Sequence, residues 1–431
     1  MNVQLLCERF GIAGRVREAA LRAQDTVAEL RYDAQERVKT AVLAAFLDEG
    51  IAESDFAPSL GYGYDDPSRD KYEALLARIF GAQRALARLS FVSGTHAIVA
   101  AIAACVPPGK TLLSITGRPY DTLYNAIVEA PNSLVKRGVK YEKVELPSIQ
   151  SPTATYSGWF DRLTMTKTNI AAVFVQRSRG YAPRRSLSIS ECEPVFAAIK
   201  KTRPDVAILV DNCYGELVED REPTHIGADL ALGSLIKNLG GSLAPAGGYA
   251  VGRSDLVERV ADYLHAPGLG ARVGPTLGFG RAFMQGLFLA PLVIEQSLRG
   301  LDFAAALFSE LGYQVEPQAG QRRTDIVQAI RLGSAERLRI FAEGLQSAMP
   351  VNARFRPVPG SVPGYGEQVI MSTGAFISGA TVELSCDAPL REPFEVYLQG
   401  GIVAEHTVLG ALCAARALAG RAASAQKRER T

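Results

Sequence analysis

VAILVDNCYGELVEDREPTHIGADLALGSLIKN, residues 206–238, decides the fold. It holds two apolar runs, VAILVD and ADLALGSL, with a polar stretch between them. The first run leads into Asp211 and Asn212, the second into Lys237 and Asn238. Short runs rich in Val, Ile and Leu read as strands buried on both faces, the habit of a parallel sheet. Outward from this stretch the same texture recurs in TLLSIT, AAVFVQ and GGYAVG, alternating with helical segments as far as about Arg253. The alternation predicts an α/β fold, a mostly parallel sheet covered by helices on both faces.

Ligands of an open parallel sheet bind beyond the carboxyl ends of its strands, so the residues just after each run are the candidates. Asp211 ends one strand, where a carboxylate can hold a cationic ring nitrogen. Lys237 follows another; a buried amine loses its proton more readily, and the free amine is the nucleophile toward an aldehyde. In FVSGTHAI, Ser93, Gly94 and Thr95 stand at a helix start, where free N–H groups suit a phosphate. In TLLSITGRPYDT, Tyr120 lies just past a strand and could stack on a planar ring. Each feature also has a plain reading: a helix cap, a carboxylate for some other ligand, a surface lysine, a core aromatic. Their order along one alternating chain, phosphate loop, aromatic, acid, lysine, favours a single site.

The flanks divide the chain further. Apolar residues recur at helical spacing from Arg15 to Glu49, so residues 1–60 read as an N-terminal helical arm. The loop GYGYDDPSRD, residues 61–70, precedes a helical stretch from Tyr72 to Ala87. A large domain is expected over 61–290, and a smaller C-terminal α/β domain over 291–431 after a long helix from Met284 to Leu311. The tail from Ala422 to Thr431 has no apolar face and is expected to fray.

At 431 residues the chain is long enough for two cores. With 47% hydrophobic and 21% charged residues and a net charge of +2, it reads as globular, with no signature of nucleic-acid or membrane binding. Six cysteines without a C-x-x-C pair fit a reducing compartment, and the N-terminus carries charges before any long apolar run, so a cytoplasmic protein is expected. Four histidines (His96, His225, His265, His406) and the cysteines show no metal-ligand spacing, so no metal is expected.

From about Gly61 to Gly401 the chain resembles the methionine gamma-lyase-like, or cystathionine beta-lyase-like, pyridoxal-phosphate enzymes, also called the aluminium resistance family. The resemblance rests on GYGYDDPSRD, SGTHAI, TGRPYDTL, QRSRGY, VDNCYGELVE, GADLALGSLIKNLGG, APAGGYAVGR, QGLFLAPLV, TDIVQAI, PGYGEQVIMSTG and VELSCDAPLREP. It implies the aspartate-aminotransferase-like fold, known as fold type I, and pyridoxal 5'-phosphate as cofactor. Residue by residue it implies that Lys237 forms the Schiff base, that Asp211 pairs with the pyridinium nitrogen, and that Ser93, Gly94, Thr95 and Ser234 hold the phosphate. Tyr120 or His96 is the ring-stacking residue. Tyr62, Tyr64 and Arg69 are similar to a segment that reaches the phosphate from a neighbouring subunit, which implies a homodimer or homotetramer with a shared site. Arg391, then Arg177 and Arg179, are candidates for the substrate carboxylate, since arginine binds carboxylates bidentately; a salt bridge at a domain interface is the plain alternative for each.

The activity this implies is β- or γ-elimination from a sulfur-containing amino acid, with Lys237 moving protons and Tyr120 near the leaving group. Replacement at the same carbons and transamination use the same cofactor residues, and a binding or regulatory protein on the same fold is the alternative of another class.

Overall fold

The structure, a computed structural model, describes residues 2–146, 158, 160 and 169–428. Two compact units form, one of residues 34–291 and one of residues 1–33 with 292–431, so the stretch 1–60 is divided between them. The strands are β1 (Arg84–Arg88), β2 (Thr111–Ser114), β3 (Lys140–Lys143), β4 (Ile170–Gln176), β5 (Ala207–Asp211), β6 (Leu230–Ser234), β7 (Gly248–Gly252), β8 (Gln314–Glu316), β9 (Val327–Arg331), β10 (Pro359–Gly360), β11 (Val369–Thr373), β12 (Ser385–Pro389) and β13 (Glu395–Gln399). The helices are α1 (Val3–Arg9), α2 (Gly14–Val27), α3 (Asp33–Asp48), α4 (Pro67–Ile79), α5 (Gly94–Cys105), α6 (Asp121–Tyr124), α7 (Ile189–Thr202), α8 (Ser254–His265), α9 (Gly280–Glu310), α10 (Ala335–Gln346) and α11 (Ala404–Arg428).

Within residues 34–291 the described strands make one sheet in the order β1-β7-β6-β5-β4-β2-β3. Strands β2 to β6 pair in parallel, and β7 runs antiparallel to both β6 and β1. The reversal follows from the connection: between β6 and β7 lies only a short 3-10 turn, Asn238–Gly240, and no crossover helix to carry the chain back. Successive side chains of a strand face opposite ways, and the core shows it. Leu112, Phe174 and Leu209 face α5 and α8, while Leu113, Val173, Val175, Ile208 and Val210 face α7. Each large side chain buried this way contributes about 1.5–3 kcal/mol, so a one-residue slip of a strand would exchange the two faces but gain nothing.

One helical expectation is subdivided and one is corrected. The stretch from Arg15 to Glu49 is two helices, α2 and α3. The helix expected from Tyr72 to Ala87 spans α4 and stops at Ile79: Gly81 adopts φ +58, its N–H donates to Arg78 O, and Ala82 N–H donates to Ala77 O at 2.8 Å. That Schellman closure ends the helix and releases Arg84–Arg88 to pair with β7.

In the unit of residues 1–33 and 292–431 the sheet order is β10-β11-β12-β13-β9-β8, antiparallel throughout. Helices α10 and α11 pack closely because position 344 is glycine: a Cβ there would lie 2.7 Å from Ala414 Cα and 2.8 Å from Cys413 O. Helix α11 runs on to Arg428, so most of the tail expected to fray is helical in its backbone; residues 429–431 lie outside the described residues.

Candidate active site

The carboxyl ends of β4, β5 and β6 and the start of α5 converge in the unit of residues 34–291. Ser93 caps α5, its Oγ accepting the His96 N–H at 3.1 Å. The first N–H groups of the helix have no intrahelical acceptor by geometry, which leaves a pole for an anion. Gly94 sets the approach of this helix to β6: a Cβ on it would lie 3.1 Å from Ser234 Cβ and 3.2 Å from Ser234 N. Thr95 Oγ1 and the Tyr120 hydroxyl are 2.7 Å apart. The Tyr120 N–H donates to Gln176 Oε1 at 2.9 Å, and Gln176 stands in register with Asp211 across β4 and β5. Contact by contact, the SGT stretch, Ser234, Tyr120 and Asp211 are thus brought to one edge of the sheet.

Asp211 is 3% exposed, and its Oδ1 accepts the Cys213 N–H at 3.1 Å. Burial pushes its carboxyl up to about 6, while the hydrogen bonds from Cys213 and the charges of Lys237 and Arg184 work the other way. A cation placed against it would restore the carboxylate. Lys237 is half-buried next to this loop, its Nζ 3.8 Å from the centre of the Tyr214 ring. Tyr214 itself holds φ 71, a conformation that bulky residues rarely take.

Here the expectation for Lys237 is reversed. Burial does favour the neutral amine, but Tyr214, Cys213 and Glu216 surround Nζ, and the net direction is upward, toward the ammonium.

The remaining candidates fall into distinct settings. His96 packs edge-on against Phe91, with ring centres 5.6 Å apart, and its Nδ1 accepts the Val92 N–H at 3.3 Å; burial lowers its pKa. Arg177 is fully buried and engaged, donating to Glu219 Oε2 at 2.7 Å and to Asn212 Oδ1. That pairing corrects its candidacy for a substrate carboxylate, since a desolvated guanidinium already holds one carboxylate. Arg179 is buried, with Nε donating to Ala182 O at 3.3 Å. Arg391 lies in the other unit, after β12, with Nη1 3.4 Å from Glu367 Oε2. Arg69 is 4% exposed and directs its guanidinium to Asp70 and to the carbonyls of Gly63 and Tyr64, so it braces the loop that presents Tyr62 and Tyr64. Those two rings stack at 5.5 Å and are 71% and 56% exposed.

Sequence reasoning passed over Gln176, Arg184, Tyr214 and Glu216. Gln176 was within reach, because it ends β4 as Asp211 ends β5. Arg184 was not: it donates to Gln176 O at 2.8 Å and Ser178 O at 2.6 Å from across an irregular loop.

The set of hydroxyls and helix N–H groups, a buried carboxylate with no ion pair among the described residues, and a half-buried amine suits pyridoxal phosphate in kind, with groups that would match its phosphate, ring nitrogen and aldehyde. Among the described residues no cluster of His, Cys, Asp and Glu could hold a metal ion, and no helix is long and apolar enough to cross a membrane.

Comparison with known proteins adds to this geometry. A family model described as methionine gamma-lyase matches residues 15–419. The uncharacterized protein YnbB of Bacillus subtilis (strain 168) is 40% identical over 389 residues, 88% of this chain and 90% of its own. A crystal structure from Clostridium acetobutylicum, provisionally described as a cystathionine beta-lyase involved in aluminum resistance, is 39% identical with a TM-score of 0.90, covering 96% of this chain and 98% of that one. A carbon-sulfur lyase involved in aluminum resistance from Clostridium novyi NT is 37% identical with a TM-score of 0.88, over 95% and 97% of the two chains. At 18% identity and a TM-score of 0.57, over 90% of this chain and 96% of the other, the pyridoxal-5'-phosphate dependent protein YhfS of Escherichia coli shares the fold.

Proposed function

The chain belongs to the methionine gamma-lyase family, and from that premise we propose that it is a pyridoxal-phosphate-dependent carbon–sulfur lyase. On this reading it acts by β- or γ-elimination on a sulfur-containing amino acid and releases a thiol, ammonia and a 2-oxo acid. The observation that carries the reading is the convergence of Asp211, Lys237, Ser234 and the start of α5 on the ends of adjacent strands. When bound, pyridoxal phosphate supplies an aldehyde for the amine and an electron-withdrawing ring that makes the α-proton acidic.

The residues divide the remaining work. Ser93, Gly94, Thr95 and Ser234 hold the phosphate, with the α5 N-terminus contributing its partial positive charge. The Asp211 carboxylate keeps a proton on the ring nitrogen. Lys237 Nζ would anchor the cofactor covalently, and as a free amine it would be the base that takes the proton from the substrate Cα. Tyr120, its hydroxyl fixed by Thr95 Oγ1, is the acid near the leaving sulfur. Within residues 34–291, Arg179 is the candidate that remains for the substrate carboxylate. Exposed Leu43, Leu47, Phe288, Tyr62 and Tyr64 support a closed homo-oligomer, in which the tyrosines are offered to a second copy.

Absorption spectra before and after borohydride reduction, beside Lys237→Ala, test the anchor. A visible band lost on reduction in the wild type and absent from the variant supports it, and a colourless protein that cannot be reconstituted refutes it. Thiol and 2-oxo-acid release, measured with and without added nucleophiles or acceptor 2-oxo acids, then separates elimination from replacement and transamination.

A further inference from the structure

Gln176 is the last residue of β4 and is 4% exposed, and each of its polar groups is engaged. Its main-chain N–H donates to Thr116 Oγ1 at 3.0 Å, and its carbonyl accepts Arg184 Nη2 at 2.8 Å. The carboxamide faces two different neighbours: Oε1 accepts the Tyr120 N–H at 2.9 Å, and Nε2 donates to Ser178 O at 3.0 Å. An N–H needs an acceptor and a carbonyl needs a donor, so a carboxylate or a hydrocarbon of the same length could not serve both. Space over the pair is limited: Gly180 holds φ +56, and a Cβ there would lie 2.9 Å from Gln176 Nε2 and 3.6 Å from Tyr120 Cβ. The loop after β4 thus closes over the carboxamide and the tyrosine together.

Tyr120 caps α6, and its carbonyl accepts the Tyr124 N–H at 2.9 Å. The N–H of a capping residue lies outside the helix's own bonding, so an acceptor from elsewhere decides where that residue sits. Here the acceptor is Gln176, which stands in register with Asp211 on the neighbouring strand. At the far end of the side chain, the Tyr120 hydroxyl lies 2.7 Å from Thr95 Oγ1 at the start of α5.

We propose that Gln176 is the positioning residue for Tyr120: its carboxamide seats the tyrosine main chain at the end of β4, and Thr95 anchors the hydroxyl. The ring is thereby presented at a fixed place relative to Asp211 across the β4–β5 register. Gln176 touches neither cofactor nor substrate on this account and acts through Tyr120. The use of that seat rests on the role given to Tyr120 in the function proposed above; the seating itself does not.

The test compares full-length wild type, Gln176→Met and Gln176→Glu. Methionine keeps the length and removes the acceptor. Glutamate, ionised or not, keeps an oxygen for the Tyr120 N–H and alters only the Ser178 side. In the cofactor-free proteins, hydrogen exchange of the Tyr120 amide, read by mass spectrometry with residue-level fragmentation, should be about tenfold faster in Gln176→Met and unchanged in Gln176→Glu. With pyridoxal phosphate bound, the visible circular dichroism of the cofactor gives a second readout: Gln176→Met should move toward the spectrum of Tyr120→Leu, and Gln176→Glu should match the wild type. A glutamine that only braced the Ser178–Arg184 loop would be replaced as badly by glutamate as by methionine. Equal changes in the two variants therefore overturn the proposal, as does Tyr120 exchange that is the same in wild type and Gln176→Met. Should Gln176→Met fail to fold, Gln176→Asn, one methylene too short to reach the Tyr120 N–H, takes its place with the same expected results. A wild type that binds no pyridoxal phosphate refutes the function proposed above, and a cofactor spectrum indifferent to Tyr120→Leu refutes the role given there to Tyr120; in both cases the exchange rates still decide the seating.

Discussion

Replacing Arg177 with Met tests whether this arginine supports the loop behind the site or touches substrate. Its guanidinium is 1% exposed and the Glu219 carboxylate 2%. Nη2 lies 2.7 Å from Glu219 Oε2, Nη1 meets Asn212 Oδ1 and lies 3.5 Å from Gly215 O, and Nε reaches Leu187 O at 3.4 Å. One side chain therefore ties β4 to the segment that carries Cys213, Tyr214 and Glu216. Arg177→Met leaves Glu219 buried without its guanidinium, the Ile189 N–H still donating to Oε2 at 2.9 Å. Removing one partner of such a pair costs about 3–5 kcal/mol, and a comparable loss is expected for Glu219→Gln. The double variant, with no charge left to strand, should be more stable than the sum of the two losses by about 2 kcal/mol or more. Urea unfolding followed by circular dichroism on all four proteins gives the cycle. If Arg177→Met unfolds within about 1 kcal/mol of the wild type while KM rises and kcat holds, Arg177 binds substrate and the structural argument is wrong.

Asp211→Asn should still take up pyridoxal phosphate but lose turnover by about 10²-fold or more, because the ring nitrogen loses the anion that holds its proton; undiminished kcat would refute this. Gly241→Val should lower the urea midpoint by an amount worth about 2 kcal/mol or more, since position 241 adopts φ +50 and a Cβ would lie 2.3 Å from Gly286 O. The cofactor-free protein should become less stable as pH rises from about 4 to about 8: Asp211, Glu222 and Glu216 titrate near 6, 7 and 8 in the folded chain, against 3.8 and 4.5 for the ordinary groups, so the folded state binds more protons across that window. Glu216→Gln should flatten the slope of urea midpoint against pH, and an unchanged slope would show that Glu216 is ionised throughout.

Several of these outcomes concern residues that the chain displays locally. Hydrophobic runs one strand long announce a parallel sheet because each strand must be apolar on both faces, and that requirement is met by contiguous residues. Strand-end logic then finds Asp211 and Lys237, and cap chemistry finds Ser93, since both depend on a few neighbours in sequence, whereas Ser234 enters only through the family resemblance. The same logic, carried to β4, would have found Gln176.

Tertiary structure alone decided what lies around those residues. That β7 inserts between β1 and β6, and so brings Tyr249 opposite Gly233, depends on pairing between distant segments that no local pattern encodes. In sequence Arg177 stands between a ligand for a substrate carboxylate and a salt-bridging arginine, and in space it is the partner of Glu219, which arrives on the loop after β5. Lys237, preceded in sequence by Leu235 and Ile236, has its Nζ over the Tyr214 ring in the fold, and the charges of Tyr214, Cys213 and Glu216 reverse the direction of its proton affinity. Residue type and spacing determine which groups stand at a strand end, because backbone geometry is local. The charge state of those groups depends on desolvation and on Coulomb interactions with whatever the fold packs beside them, and that is set only when the chain is assembled.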